Sequence, residues 1–153
     1  MVSYRQLIDI SNATILSLLK AMKNMGLNFD LIWNEMAFTF RDLFKDTDLI
    51  FGGDDVKSIA ENFAKKIKEI GFCQAIDILE ANDDKVVVDL GDCIFATACR
   101  SLRGDDYMSQ PPCPIVAILY SSINEHLNKK GSVTNFETHP EKNTDIFTIS
   151  LEG

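Results

Sequence analysis

The sequence predicts a single α+β domain in which helices come first and an antiparallel sheet follows. Apolar residues recur at helical spacing through the first seventy residues, and the period then changes to two. The four later strand segments form two pairs, each joined by a short polar turn rather than a long crossover. Short turns pair strands antiparallel, so the hairpins are expected to form a four-stranded antiparallel sheet packed against helices. The 153 residues suit one domain, with residues 1–52 as N-terminal helices and residues 53–153 as its core.

Three helices are predicted in the first half. Residues 4–25 carry apolar side chains near helical spacing, and a glycine follows. Asp30 is expected to cap a second helix over residues 30–45, whose aromatic residues cover more than one face. That helix is either buried on two sides or lines a cavity. Residues 56–70 give the cleanest helical pattern, between an aspartate cap and Gly71.

The first hairpin is predicted from residues 74–80 and the valine-rich residues 85–90, joined by an Asn-Asp-Asp turn. Residues 93–102 fit either a short helix or an irregular crossing. The polar residues 104–112, with two prolines, are expected to form a loop.

The last part of the chain predicts a helix and a second hairpin. Pro114 suits the first turn of a helix that runs to about residue 128. Residues 132–137 and 145–151 then read as two strands, joined through residues 139–143. This order places helix and hairpin next to each other.

Charge and hydropathy exclude several classes of function. The net charge is −8, from 23 acidic and 15 basic residues, which disfavours nonspecific nucleic-acid binding and attraction to anionic lipid. No apolar run approaches the ~20 residues of a membrane span. The N-terminus lacks the apolar stretch of a signal peptide, so we expect a cytoplasmic protein.

Catalytic signatures are missing from the sequence. It has no nucleophile elbow, no phosphate-binding glycine loop, no dinucleotide fingerprint and no HExxH motif. We therefore expect a binding protein more than an enzyme. The cysteines are Cys73, Cys93, Cys99 and Cys113; no two form a CxxC pair, and they are either core thiols, metal ligands or some of each.

A candidate metal site lies in the C-terminal half. Cys113 precedes the last predicted helix, and His139 lies in the final hairpin near Glu137, Glu141 and Asp145. Zinc accepts thiolate, imidazole and carboxylate ligands. Because helix and hairpin are consecutive, these groups could converge; the alternative is that the carboxylates are simply solvated.

Residues 56–151 resemble the 4-vinyl-reductase, or hydrocarbon-binding, domain family. The resemblance depends on PPCPIVAILYSSINEHL and SVTNFETHPEKNTDIFTISL. Cys113 matches the cysteine that opens the family's apolar helix. His139 falls where the next cysteine is expected, and Glu137 lies near the acidic position with an offset of one. Asp145, two residues before Phe147, stands where the last cysteine would be.

The resemblance implies a module that binds an apolar or aromatic small molecule. It also implies a structural zinc held by Cys113, His139 and a carboxylate from Glu137 or Asp145. Aromatic residues are the candidates for the ligand pocket, each with plain core packing as the alternative: Trp33, Phe38, Phe40, Phe63 and Tyr107.

Two alternative functions follow from the same resemblance. The family is similar in fold to the small subunits of the TRAPP vesicle-tethering complex, which implies a non-catalytic assembly subunit. A homodimer through the N-terminal helices would suit that function. The other alternative is an accessory protein to a vinyl-reductase type reaction.

Overall fold

The computed structural model describes residues 3–27, 29–101, 113–139 and 141–153, except for the side chains of residues 29–31 and 100. This part of the chain forms five helices and four strands in one α+β arrangement. The helices are α1 (Tyr4–Asn24), α2 (Phe29–Phe44), α3 (Val56–Glu69), α4 (Ala96–Ser101) and α5 (Pro114–Leu127). The strands are β1 (Cys73–Ala81), β2 (Lys85–Cys93), β3 (Lys130–His139) and β4 (Thr144–Glu152).

The sheet has the order β1-β2-β4-β3, with every neighbouring pair antiparallel. Each hairpin forms one half, and β2 joins β4 at the centre. Both outer strands carry an irregularity in register, between Ile78 and Glu80 in β1 and between Val133 and Asn135 in β3. The predicted fold class is therefore confirmed.

The main apolar core joins α2, α3 and α5 to one face of the sheet, and a separate small cluster surrounds Leu19 of α1. α5 is the centre of the main core, because the residues from Pro114 to Asn124 are all buried. A helix that is apolar on all sides belongs inside a protein rather than at its surface. The inward-facing sheet positions alternate along β2 and β4, as the period of two requires: Val86, Val88, Leu90, Phe147, Ile149 and Leu151.

Local signals define the helix ends. Ser3 and Gln6 form a capping box at the start of α1, and Asp55 and Ser58 form another at α3. Hydrogen bonds from the Ser58 N–H and hydroxyl lower the pKa of Asp55. Asn128 ends α5 in the left-handed conformation, which asparagine tolerates better than most residues.

The observed boundaries differ from the predicted ones in three places. α2 begins at Phe29, so Asp30 lies inside the helix instead of capping it. The segment that fitted two interpretations contains the short helix α4. Both hairpins extend further than predicted, because strand pairing continues through polar residues at the strand ends. The predicted loop at 104–112 lies outside the described residues.

Candidate functional site

The sheet separates the four predicted zinc ligands. Residues directly opposite each other on antiparallel strands point to the same face of the sheet. Asp145 of β4 lies opposite Leu90 of β2, which faces the core, so Asp145 faces the core as well. Cys113, the residue before α5, is buried on the same side and lines a small cavity with Asp145. These two predicted ligands are therefore brought together.

Glu137 and His139 lie on the opposite face of the sheet. They pair with Ile146 and Thr144, which alternate with the inward positions of β4. His139 Nδ1 is 3.4 Å from a carboxylate oxygen of Glu141, and Nε2 is 3.9 Å from one of Glu137. Hydrogen bonds from its own backbone and from His139 lower the pKa of Glu141. His139 thus associates with surface carboxylates and not with Cys113.

The small cavity beside Cys113 holds further thiols. Cys93 and Cys99 line it with Cys113, Asp92 and Asp145, and Asp145 is 7% exposed. Cys73 adjoins the group because it lies directly opposite Cys93 in the hairpin. All four cysteines are free thiols. Sequence reasoning left Cys93 and Cys99 undecided, because their approach to Cys113 depends on α4.

Two of the four cysteines, Cys73 and Cys113, have raised pKa values. A hydrogen bond with Cys99, together with complete burial, raises the pKa of Cys113. A hydrogen bond with Cys93, together with burial, raises the pKa of Cys73. The thiol form of Cys73 and Cys113 is therefore favoured over the thiolate, which is the nucleophile.

The sheet does not bring the four predicted zinc ligands together at one point. Two of its members face the core, and two face away from it. Over the ranges that the structure describes, no three or more Cys, His, Asp and Glu side chains form a group that could hold a metal ion. A zinc site stays a prediction, and no functional step is assigned to it.

The aromatic residues predicted to line one ligand pocket lie at different places in the structure. Trp33 and Phe63 belong to the main core, at 5% and 0% exposure. Phe38 is half-buried, with the Arg41 guanidinium 5.4 Å from its ring centre. Phe40 alone of the four described residues lines the large groove described next. Tyr107 lies outside the described residues.

An apolar groove of about 520 Å³ lies between α1 and α2. One wall comes from α1 and consists of Ile15, Leu18, Leu19 and Met22. The facing wall comes from α2 and includes Ile32, Met36 and Phe40, and Leu27 lies in the connection between the helices. Glu35 and Thr39 are its polar members. Both are exposed, so they belong to the rim.

The groove exists because α1 is attached to the domain at few points. Only Asn12 and Leu19 are buried among its 21 residues. The Asn12 side-chain amide donates to the Ile94 carbonyl at 2.6 Å and to Ile8, and its oxygen accepts from the Ala98 N–H at 2.9 Å. Asn12 therefore connects α1 to the end of β2 and to the first turn of α4.

Sequence reasoning identified the apolar residues of α1 by their helical spacing but did not predict what they would face. The arc of apolar side chains on α1 is wider than one contact face needs, and that width is the available signal for a groove. Its position opposite α2 depends on the packing of two helices, which periodicity does not determine.

Comparison with known proteins adds nothing to this geometry, since no family model and no curated protein matches the chain. The described helices also contain none that is long and apolar enough to span a bilayer.

Proposed function

We propose that this protein is a non-catalytic binding module that holds an uncharged apolar or aromatic small molecule in the groove between α1 and α2. The observation that carries the proposal is the groove itself, with its almost wholly apolar walls. Small-molecule sites typically have volumes of roughly 300–1,000 Å³, apolar walls and a few polar groups. The volume of about 520 Å³ lies within this range.

The lining also defines the class of ligand. Methionine, leucine and isoleucine side chains from both helices offer dispersion contacts and few hydrogen bonds, which favours hydrocarbon or aromatic surface. Glu35 is the charged member of the lining, and a carboxylate at the rim repels anions. An uncharged ligand without a carboxylate or phosphate is therefore favoured.

Catalysis is not part of this proposal. The buried thiols beside α5 have raised pKa values, so they are poor nucleophiles at neutral pH. His126, the other histidine, is exposed on α5, and its ring lies beside Gly52. A role as accessory to a vinyl-reductase type reaction stays a prediction without a supporting contact.

Fluorescence titration with N-phenyl-1-naphthylamine tests the proposal. This uncharged dye becomes bright in an apolar site, and Trp33 on α2 is the single tryptophan of the chain. A dye bound in the groove is expected to quench Trp33 emission by energy transfer while its own emission rises. Both signals should saturate at the same dye concentration.

A matched pair of substitutions assigns the signal to the groove. Met22→Glu puts a carboxylate into the wall formed by α1, and dye binding is expected to weaken about tenfold or more, since the charge must be desolvated. Leu43→Glu makes the same kind of change on an exposed site of α2 outside the groove and should leave binding unchanged. Circular dichroism confirms that both variants fold. Absence of saturable binding to the wild type, or equal affinity in Met22→Glu, would refute the proposed site.

An assembly function, as a homodimer through the N-terminal helices, is the second candidate, and exposed apolar side chains of α1 such as Leu7 and Ile10 favour it.

A further inference from the structure

Two of the free thiols face each other across the first hairpin. Cys73, the first residue of β1, lies directly opposite Cys93, the last residue of β2. Beside this pair, the Ile94 N–H donates to the Phe72 carbonyl at 2.9 Å. Hydrogen-bonded and non-hydrogen-bonded pairs alternate along an antiparallel ladder, so Cys73 and Cys93 form a non-hydrogen-bonded pair. The Cα atoms of such a pair are about 4.5 Å apart, and the two side chains share one face of the sheet.

This arrangement suits a disulfide bond. Disulfides join residues whose Cα atoms are about 4.4–6.8 Å apart, and the expected spacing of the pair lies within that range. The two sulfurs already share a hydrogen bond, which together with burial raises the pKa of Cys73. A bond between Cys73 and Cys93 therefore needs little movement of the backbone.

The two thiols differ in their access to solvent. Cys73 is 1% exposed, whereas Cys93 is half-buried. Cys93 also lines the small cavity that contains Cys99 and Cys113, and the volume of this cavity is about 10 Å³. A cavity of that size has room for about one molecule as small as water. A small oxidant is therefore expected to reach Cys93 before it reaches Cys73.

We propose that Cys93 is a site of oxidation by hydrogen peroxide and that Cys73 then closes a disulfide with it. In the first step the Cys93 sulfur bonds to one peroxide oxygen while the O–O bond breaks. The product is a sulfenic acid, and the other oxygen leaves as water with the thiol proton. In the second step the Cys73 sulfur displaces the hydroxyl group, which leaves as a second water with the Cys73 proton. The peroxide gains two electrons, and each sulfur loses one.

Cys73 is favoured over the other two cysteines as the partner of Cys93. Strand pairing fixes Cys73 directly opposite Cys93. Cys99 belongs to α4 and Cys113 precedes α5, so no ladder of strand hydrogen bonds fixes either of them relative to Cys93. Cys113 also shares its hydrogen bond with Cys99.

The disulfide lies next to the point where α1 is attached to the domain. Ile94 follows Cys93, and its carbonyl accepts the hydrogen bond from Asn12 at 2.6 Å. A covalent bond between Cys73 and Cys93 prevents the ends of β1 and β2 from separating, so oxidation stabilises the backbone to which α1 is bonded. This effect does not require a ligand in the groove, and it can be tested without one.

Mass spectrometry of the full chain after peroxide treatment provides the test. Remaining thiols are blocked with N-ethylmaleimide, and the protein is digested without reduction. We expect a linked pair of peptides that contains Cys73 and Cys93, lighter by two hydrogen atoms than the two reduced peptides. Dithiothreitol supplies two electrons and two protons and should return both thiols. The chain oxidised in urea should lose the preference for this pair, because the pairing of β1 with β2 selects it.

Three variants separate the two steps. Cys73→Ser leaves the sulfenic acid of Cys93 without its partner, so dimedone should label Cys93 about tenfold more than in the wild type. Cys93→Ser should give neither the disulfide nor the adduct. Cys99→Ser is the matched control, because it changes another thiol of the same cavity and should keep the disulfide. Circular dichroism confirms that each variant folds.

Thermal unfolding measures the structural effect of the bond. Oxidation should raise Tm by about 5–10 °C in the wild type and in Cys99→Ser, and it should leave the Tm of Cys73→Ser unchanged. Three results would overturn the inference: a folded wild type in which peroxide leaves Cys93 unmodified, a disulfide that joins Cys93 to Cys99 or Cys113 instead, or a disulfide between Cys73 and Cys93 that leaves Tm unchanged.

Discussion

Asn12 gives the most direct test of how the N-terminal helix is attached. Its side chain makes two long-range hydrogen bonds, to the Ile94 carbonyl at 2.6 Å and from the Ala98 N–H at 2.9 Å. The substitution Asn12→Ala removes both and leaves the backbone N–H of Ala98, a buried residue, without its acceptor. We expect α1 to lose its main polar attachment to β2 and α4.

The magnitude follows from the groups left unpaired. A typical net hydrogen bond contributes about 1 kcal/mol, and a buried backbone group without its partner costs about 1–3 kcal/mol. Alanine returns roughly 0.5 kcal/mol because it is the better helix former. The free energy of unfolding should therefore fall by about 2–3 kcal/mol, which lowers Tm by roughly 5–10 °C for a domain of this size.

Urea denaturation followed by circular dichroism measures this change, and Thr14→Ala is the matched control. Thr14 lies on the same helix, is exposed, and its hydroxyl donates to the Ile10 carbonyl of its own helix at 2.9 Å. Its removal should change the free energy of unfolding by no more than about 0.5 kcal/mol. If Asn12→Ala and Thr14→Ala are equally stable, Asn12 does not anchor α1 and the reasoning is refuted.

Three further measurements test other parts of the structure. Burial raises the pKa of Tyr120, so the stability that its neutral hydroxyl contributes below about pH 10 is lost as the pH rises through the folded-state pKa. Tyr120→Phe removes the hydrogen bond from the Gly131 N–H, and the free energy of unfolding should fall by about 1 kcal/mol at neutral pH. Above about pH 10, urea titrations should show a smaller further loss of stability in Tyr120→Phe than in the wild type. Native Cys73 and Cys113 should resist iodoacetamide at pH 8, and rapid labelling seen by mass spectrometry would contradict their protected state. If metal analysis finds zinc, Cys113→Ser should remove it and His139→Ala should not; the reverse result would mean that the sheet faces are assigned wrongly.

The sequence predicted the fold class and most elements because their signals are local. The change of period to two in the strand segments and the aspartate cap before α3 depend on neighbours a few positions away. α2 shows the limit of such signals. Aspartate is a residue type that commonly caps helices, yet α2 starts at Phe29 and includes Asp30.

The candidate site was less predictable because it depends on which face each strand residue takes. Asp145 and His139 are six residues apart and both able to bind zinc, but they lie on opposite faces of the sheet. A register shift of one residue in β3 would reverse the orientation of His139, and the shift between Val133 and Asn135 has no signature in the sequence. Nor could periodicity distinguish the exposed apolar side chains of α1, such as Leu7 and Ile10, from the buried Leu19.

The irregular register of both outer strands has a consequence for how copies of this protein meet. An outer strand with free N–H and C=O groups can recruit a strand from another molecule and start aggregation. Here β1 is offset after Ile78 and β3 after Val133, so neither edge presents an unbroken row of such groups. Edge-to-edge growth of the sheet into a fibril is thereby discouraged at both sides.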